Sequence, residues 1–210
     1  MPLPDLATAA AAIATIGRAF DARGWVPATS GNFSARLGDG RIAMTASGRH
    51  KGRLEPGDVL TVDGAGRSLD GRIPSAETGL HIQLYRLFPQ VGAVLHVHSP
   101  AGVTLSRLFP AATQWRIVGH ELLKAFPAIA THDAAITLPI VANDQDIDAL
   151  AAAIEPALTA EPAPPAYLIR GHGLYGWGRD LAEAERVVEA AEWLLAAELS
   201  ELALRTGARQ

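Results

Sequence analysis

Between Val91 and Ser99 the chain runs Val-Gly-Ala-Val-Leu-His-Val-His-Ser, an apolar stretch that ends on two histidines separated by one residue. Such a stretch has the character of a buried strand. In a strand, positions i and i+2 point to the same face, about 6–7 Å apart, so His96 and His98 would stand side by side on a rigid support. Two imidazoles placed that way can bind one metal ion. A His-x-His pair alone is explained equally well by two satisfied histidines at a strand end, so the rest of the chain has to decide.

A catalytic zinc takes three protein ligands and leaves one position open. The chain contains no cysteine, which leaves histidine and carboxylate as the transition-metal ligands available. A third histidine stands in Gly171-His172-Gly173, where the flanking glycines let backbone approach a metal or ligand closely. His96, His98 and His172 are therefore the candidate zinc set. Alone, Gly-His-Gly is more simply a loop histidine; its weight comes from the pairing with His-x-His.

Other function classes are poorly served. The formal net charge is −4 and there is no basic run, so nucleic acid is not an expected partner. The alanine-rich start from Leu6 to Ile16 lacks a positive leader and is headed by Asp5, which fits a mature helix better than a signal peptide. No apolar run reaches the ~20 residues of a membrane span. A soluble cytoplasmic protein is the expectation.

Periodicity predicts a helix over 5–23, with Asp5 as its N-cap, then a turn and short strand within 29–36, paired as a hairpin with a strand over 41–46 around the Gly38-Asp-Gly40 turn. A third strand follows over 58–63, and a helix over 76–88. Beyond the histidine strand come a helix over 101–108, strands at 116–118 and 136–141, and a helix over 146–158. Strands at 167–170 and 174–177 flank His172. The last helix starts at Asp180, with Glu183 placed for a capping box. These elements predict one α/β domain over 1–210, a layered sandwich with a largely antiparallel central sheet covered by helices.

Two carboxylates and several small polar turns are candidates for the chemistry. Glu77 stands at a helix start and Glu121 follows a short strand and His120. A dipole-favoured helix glutamate and a surface helix residue are the plainer explanations. Either carboxylate, set beside a metal-bound carbonyl, could remove the adjacent carbon-bound proton. Asn32, Ser47, Gly48 and Ser75 lie in turns whose amides and hydroxyls can cradle a phosphate, and Lys51 could add a charge. His50, His81, His120 and His132 have no pairing that singles them out.

Taken together, Gly31-Asn32, Thr45-Ala-Ser-Gly48, Pro74-Ser-Ala-Glu77, His96-Val-His98 and Arg170-Gly-His-Gly173 resemble the class II, zinc-dependent aldolase and adducin-head family over nearly the whole chain. The resemblance implies that His96, His98 and His172 hold one zinc per subunit. It implies that Asn32, Ser47, Gly48 and Ser75 receive the phosphate of a ketose phosphate substrate, in a homotetramer with sites near subunit contacts. Ala76 departs from the Ser-Ser-Glu of the aldolases and removes one hydroxyl. Thr45-Ala-Ser-Gly-Arg-His-Lys51, His120-Glu-Leu-Leu-Lys124, the 73-residue gap after His98 and Gly171-His-Gly-Leu-Tyr-Gly-Trp-Gly178 resemble a dehydratase branch acting on a methylthio-bearing ketose phosphate. In that branch the residue matching Glu121 is the implied acid/base; in the aldolases it is the one matching Glu77. The alternatives are a sugar-phosphate aldolase, a pentulose-phosphate 4-epimerase, or a non-catalytic adducin-like interaction module.

Overall fold

The computed structural model describes residues 3–207. Its strands are β1 (Asn32–Arg36), β2 (Ile42–Thr45), β3 (Val59–Val62), β4 (Ala93–Val97), β5 (Gln114–Val118), β6 (Ala135–Val141), β7 (Ala166–Ile169) and β8 (Gly173–Gly178). They form one sheet in the order β3-β2-β1-β4-β8-β7-β6-β5. Neighbours pair antiparallel except β6 and β7, which are parallel. A parallel pair needs a crossover rather than a hairpin, and α4 (Ile147–Leu158) supplies it. The remaining helices are α1 (Leu6–Ala22), α2 (Thr78–Leu87), α3 (Pro100–Leu108) and α5 (Leu181–Gly207). The expected layered α/β architecture is the one observed.

Both faces of the sheet centre are covered, which explains why the lead-in to His96 is apolar without alternation. Leu95 and Val97 face a core built with Ile13, Phe20, Leu105, Val188 and Leu195 of α1, α3 and α5. Val94 faces a second core containing Leu80, Leu84, Leu150 and Ile154 of α2 and α4. His96 alternates with Leu95 and Val97 and so falls on the α2/α4 side.

Helix starts follow their capping chemistry. Asp5 accepts the Thr8 amide at 2.8 Å, closing the N-terminus of α1. Asp180 accepts the Glu183 amide at 2.8 Å, but the reciprocal half of the expected box is redirected. Glu183 turns its carboxylate to Arg179, accepting from Nε at 2.8 Å, because a guanidinium makes the stronger charge-assisted partner. At α2 the helix begins at Thr78, and Glu77 caps it through backbone alone. Its carboxylate is thereby free to point elsewhere.

Candidate metal centre

One cross-strand row of the sheet builds the floor of the site. Asn32 of β1 sits opposite His96 of β4, His96 opposite Tyr175 of β8, and Tyr175 opposite Tyr167 of β7. The His96 ring stacks on Tyr175 with centroids 4.1 Å apart, and Tyr175 stacks on Tyr167 at 5.0 Å. Two glycines let backbones close around this row. A Cβ on Gly173 would come within 2.0 Å of the Val97 carbonyl, and Gly31, at φ +74°, would clash with the His96 carbonyl at 2.7 Å. Gly173 therefore lets β8 begin directly beside β4, which delivers His172 to His96 and His98.

The three imidazoles converge. Ring centroids are 4.7 Å apart for His96–His98, 4.5 Å for His98–His172 and 5.0 Å for His96–His172. One ligand nitrogen from each lies within 4.8 Å of the others, the spacing of a set that can hold a metal ion. Two of their outer nitrogens have partners. His96 Nδ1 donates to the Leu174 carbonyl at 3.0 Å, and His172 Nδ1 to Asn143 Oδ1 at 3.2 Å. Such bonds orient the two rings with Nε2 toward the common point. Burial pulls His96 well below its ordinary pKa despite the opposing pull of Glu77. Burial, reinforced by His172, takes His98 down to about 4. Three imidazoles facing one point fit a transition metal.

Glu77 stands at the face of this triad. Its Oε1 lies 3.1 Å from His172 Nε2 and its Oε2 3.3 Å from His96 Nε2. Oε2 also accepts from Asn32 Nδ2 at 2.7 Å and from the Tyr175 hydroxyl at 3.0 Å. Burial works against its charge, but His96, His172 and the Asn32 bond outweigh it and hold the carboxyl well below the usual range.

A polar cleft of about 320 Å³ opens from Glu77, His98 and His172 past Asn32, Ser47, Gly48, Lys51 and Ser75. Lys51 is 2% exposed, and its Nζ donates to the carbonyls of Thr29 at 2.6 Å and Arg49 at 2.7 Å. One ammonium proton remains for a ligand. Burial, only partly offset by Glu77, lowers Lys51 to about 8. A second cleft, about 360 Å³, leads from the same three residues toward Asn143, Asp144 and Ile147.

Glu121 is the candidate the fold keeps apart. It lines a separate groove of about 950 Å³ with Trp25, Lys124 and Trp193, its side chain 70% exposed and ion-paired with Lys124. The other nine candidate residues share the His172 cleft or its floor. Three contributors escaped the sequence reading. His81 is one turn after Glu77 and so on the same helix face, a spacing that could have flagged it. Tyr175 is explained by strand alternation from Gly173. Asn143 precedes α4 and has no sequence signal.

Residues 11–199 match the family model described as Class II Aldolase and Adducin N-terminal domain. The chain is 57% identical over 190 residues to a methylthioribulose-1-phosphate dehydratase of Methylococcus capsulatus, covering 90% of this chain and 92% of that one. It is 48% identical over 200 residues to a protein of the same name from Marinobacter nauticus, covering 95% and 96%. Among solved structures, an L-fuculose-1-phosphate aldolase from Thermus thermophilus superposes with a TM-score of 0.75 at 27% identity, covering 93% of this chain and 95% of that one. Family match, relatives and superposition all extend across the sheet row and the histidine triad, and the chain belongs to the class II aldolase and adducin N-terminal domain family.

Proposed function

We propose that this chain is a zinc-dependent methylthioribulose-1-phosphate dehydratase of methionine salvage, converting 5-methylthioribulose 1-phosphate to 2,3-diketo-5-methylthiopentyl 1-phosphate. The observation that carries the reading is the histidine triad opening onto a lysine-lined polar cleft, in a chain 57% identical to a relative of that name.

Held by His96, His98 and His172, zinc supplies Lewis-acid stabilisation of the negative charge that builds when a proton leaves the carbon beside a carbonyl. The chain's residues do the rest. Lys51 and the amides and hydroxyls around Asn32, Ser47, Gly48 and Ser75 receive the phosphate and fix the sugar's C1 end. A carboxylate takes the C3 proton, the C4–O bond breaks with the hydroxyl leaving as water, and the C3 enol ketonises by taking a proton at C4. Glu121 is that acid/base in this reading. Since it lies outside its own chain's cleft, a neighbouring subunit delivers it, and the working form is a homotetramer. Glu77, fixed by Asn32 and Tyr175, orders the cleft beside the triad.

The test is product analysis after incubation with methylthioribulose 1-phosphate. A diketone phosphate one water lighter than the substrate is expected. Aldehyde release from fuculose 1-phosphate or rhamnulose 1-phosphate, with no turnover of the methylthio substrate, would establish an aldolase instead. Purified protein that neither carries nor recovers zinc would leave the adducin-like reading.

A further inference from the structure

Behind Glu77 runs a line of buried polar groups of which the reaction above uses only Asn32. Asn32, which donates to Glu77 through Nδ2, has its Oδ1 2.5 Å from His81 Nε2. His81 Nδ1 is 2.7 Å from Ser34 Oγ, and Ser34 Oγ is 2.8 Å from the Tyr85 hydroxyl. His81 and Ser34 are fully buried, and Asn32 and Tyr85 nearly so. The Arg36 guanidinium closes the far end, 4.6 Å from the Tyr85 ring centroid. Glu77 and His81 are one helical turn apart on the start of α2, so the helix itself sets the gap that Asn32 bridges.

The direction of every bond in this line follows from its ends. Turning the Asn32 amide over would press Oδ1 against a carboxylate oxygen at 2.7 Å, so the N–H side faces Glu77. Oδ1 then faces His81, and a lone pair on Nε2 at that distance would repel it, so Nε2 carries the hydrogen. Burial takes His81 down to about 3, which leaves the ring that single proton and makes Nδ1 an acceptor. Ser34 therefore donates to His81 and accepts from Tyr85. Burial pushes the Tyr85 phenol well above its ordinary range, so it keeps its proton. All four bonds point toward Glu77.

We infer that His81 is a positioning residue for Glu77: as the neutral Nε2–H tautomer it locks the Asn32 amide with one N–H on the Glu77 carboxylate and leaves the other N–H for the substrate. The inference rests on the reading of this cleft as the reaction site. It assigns a role to a histidine that touches neither metal nor substrate, and it makes the orientation of Asn32 a property of the buried line rather than of the ligand.

The tautomer can be read without turnover, so a wrong substrate assignment does not affect that measurement. In zinc-loaded protein labelled with 15N-histidine, NMR should show His81 neutral with its proton on Nε2 between pH 6 and 9, in wild type and in Ser34→Ala alike. A proton on Nδ1, or a charged ring, in either protein overturns the inference. In the reaction, His81→Leu should keep its zinc and lose kcat by about tenfold, with KM for methylthioribulose 1-phosphate changed less than about threefold. His81→Gln, whose amide can still donate to Asn32, should recover most of that loss. Equal impairment of the two variants, or a loss confined to KM, would mean that His81 serves packing alone. Should His81→Leu fail to fold, the wild-type and Ser34→Ala spectra still decide.

Discussion

Tyr175 lies flat against His96, ring centroids 4.1 Å apart at 17°, while its hydroxyl donates to Glu77 Oε2 at 3.0 Å. One residue thus supports a candidate metal ligand with its face and a carboxylate with its edge. Burial and the Glu77 charge raise its phenol well above the ordinary range, so the proton stays on oxygen and the bond keeps its direction. Tyr175→Phe separates the two jobs. The stack survives, so zinc content should match wild type. The lost bond to a charged group is worth about 1.5–3 kcal/mol, and catalytic efficiency should fall at least about tenfold. Metal analysis and steady-state kinetics on one preparation check it; unchanged efficiency would mean that Asn32 alone suffices to hold Glu77.

Asn143 should govern metal affinity without touching the metal. Its Oδ1 receives His172 Nδ1 at 3.2 Å from an exposed loop ahead of α4. His96 has a backbone carbonyl for the same purpose, which no substitution can remove. Asn143→Ala leaves the His172 ring free to rotate and to change tautomer. Zinc affinity should weaken by about 10–100-fold, the usual cost of losing such a partner, with the apo protein as stable as wild type. Competition with a chelator measures the first, and denaturation of zinc-free protein the second.

Lys51 should set an alkaline limit on substrate binding. With a pKa of about 8 against an ordinary 10.5, it loses its charge as pH rises through 8, and KM should increase there while kcat holds. Lys51→Met should raise KM at pH 7 and flatten this limb. The effect on stability has the opposite sign. The fold disfavours the charged form, so between pH 8 and 10.5 the unfolded chain binds the extra proton and Lys51 makes stability rise with pH. Stability curves at pH 7 and 10 should show that rise in wild type and a smaller one in Lys51→Met.

What sequence could and could not show divides along a physical line. His96 and His98 were legible because strand geometry fixes i and i+2 on one face whatever surrounds them. The glycines around His172 were legible because a missing Cβ has few other uses, and Gly173 indeed has none to spare against Val97. The strands and helices emerged within a few residues of their periodic signals. Glu77 meeting the triad depends on how α2 docks over the sheet, which periodicity leaves open. His81 sat in the sequence without a partner because Asn32 and Ser34 reach it only through the register of β1 against β4. Glu121 illustrates the opposite case: its surroundings in one chain, a solvent-exposed rim with Lys124, contain nothing that its expected role needs.

That mismatch supplies the sharpest test of the proposed assembly. Glu121→Gln should keep zinc and lose activity, since the triad is untouched and only the proposed acid/base is removed. His96→Ala should lose both zinc and activity, because two imidazoles cannot replace three. If each cleft combines one subunit's triad with a neighbour's Glu121, the two dead variants complement each other. Subunits mixed one to one and reassembled in a ring should recover about a quarter of the wild-type rate, the chance that an intact triad meets an intact Glu121. Activity assays on reassembled mixtures, with each variant alone as control, measure it. No recovery on demonstrated subunit exchange would remove the shared site. If in addition Glu121→Gln alone stayed active while Glu77→Gln was dead, the acid/base would be Glu77, already 3.1 Å from His172 within its own chain.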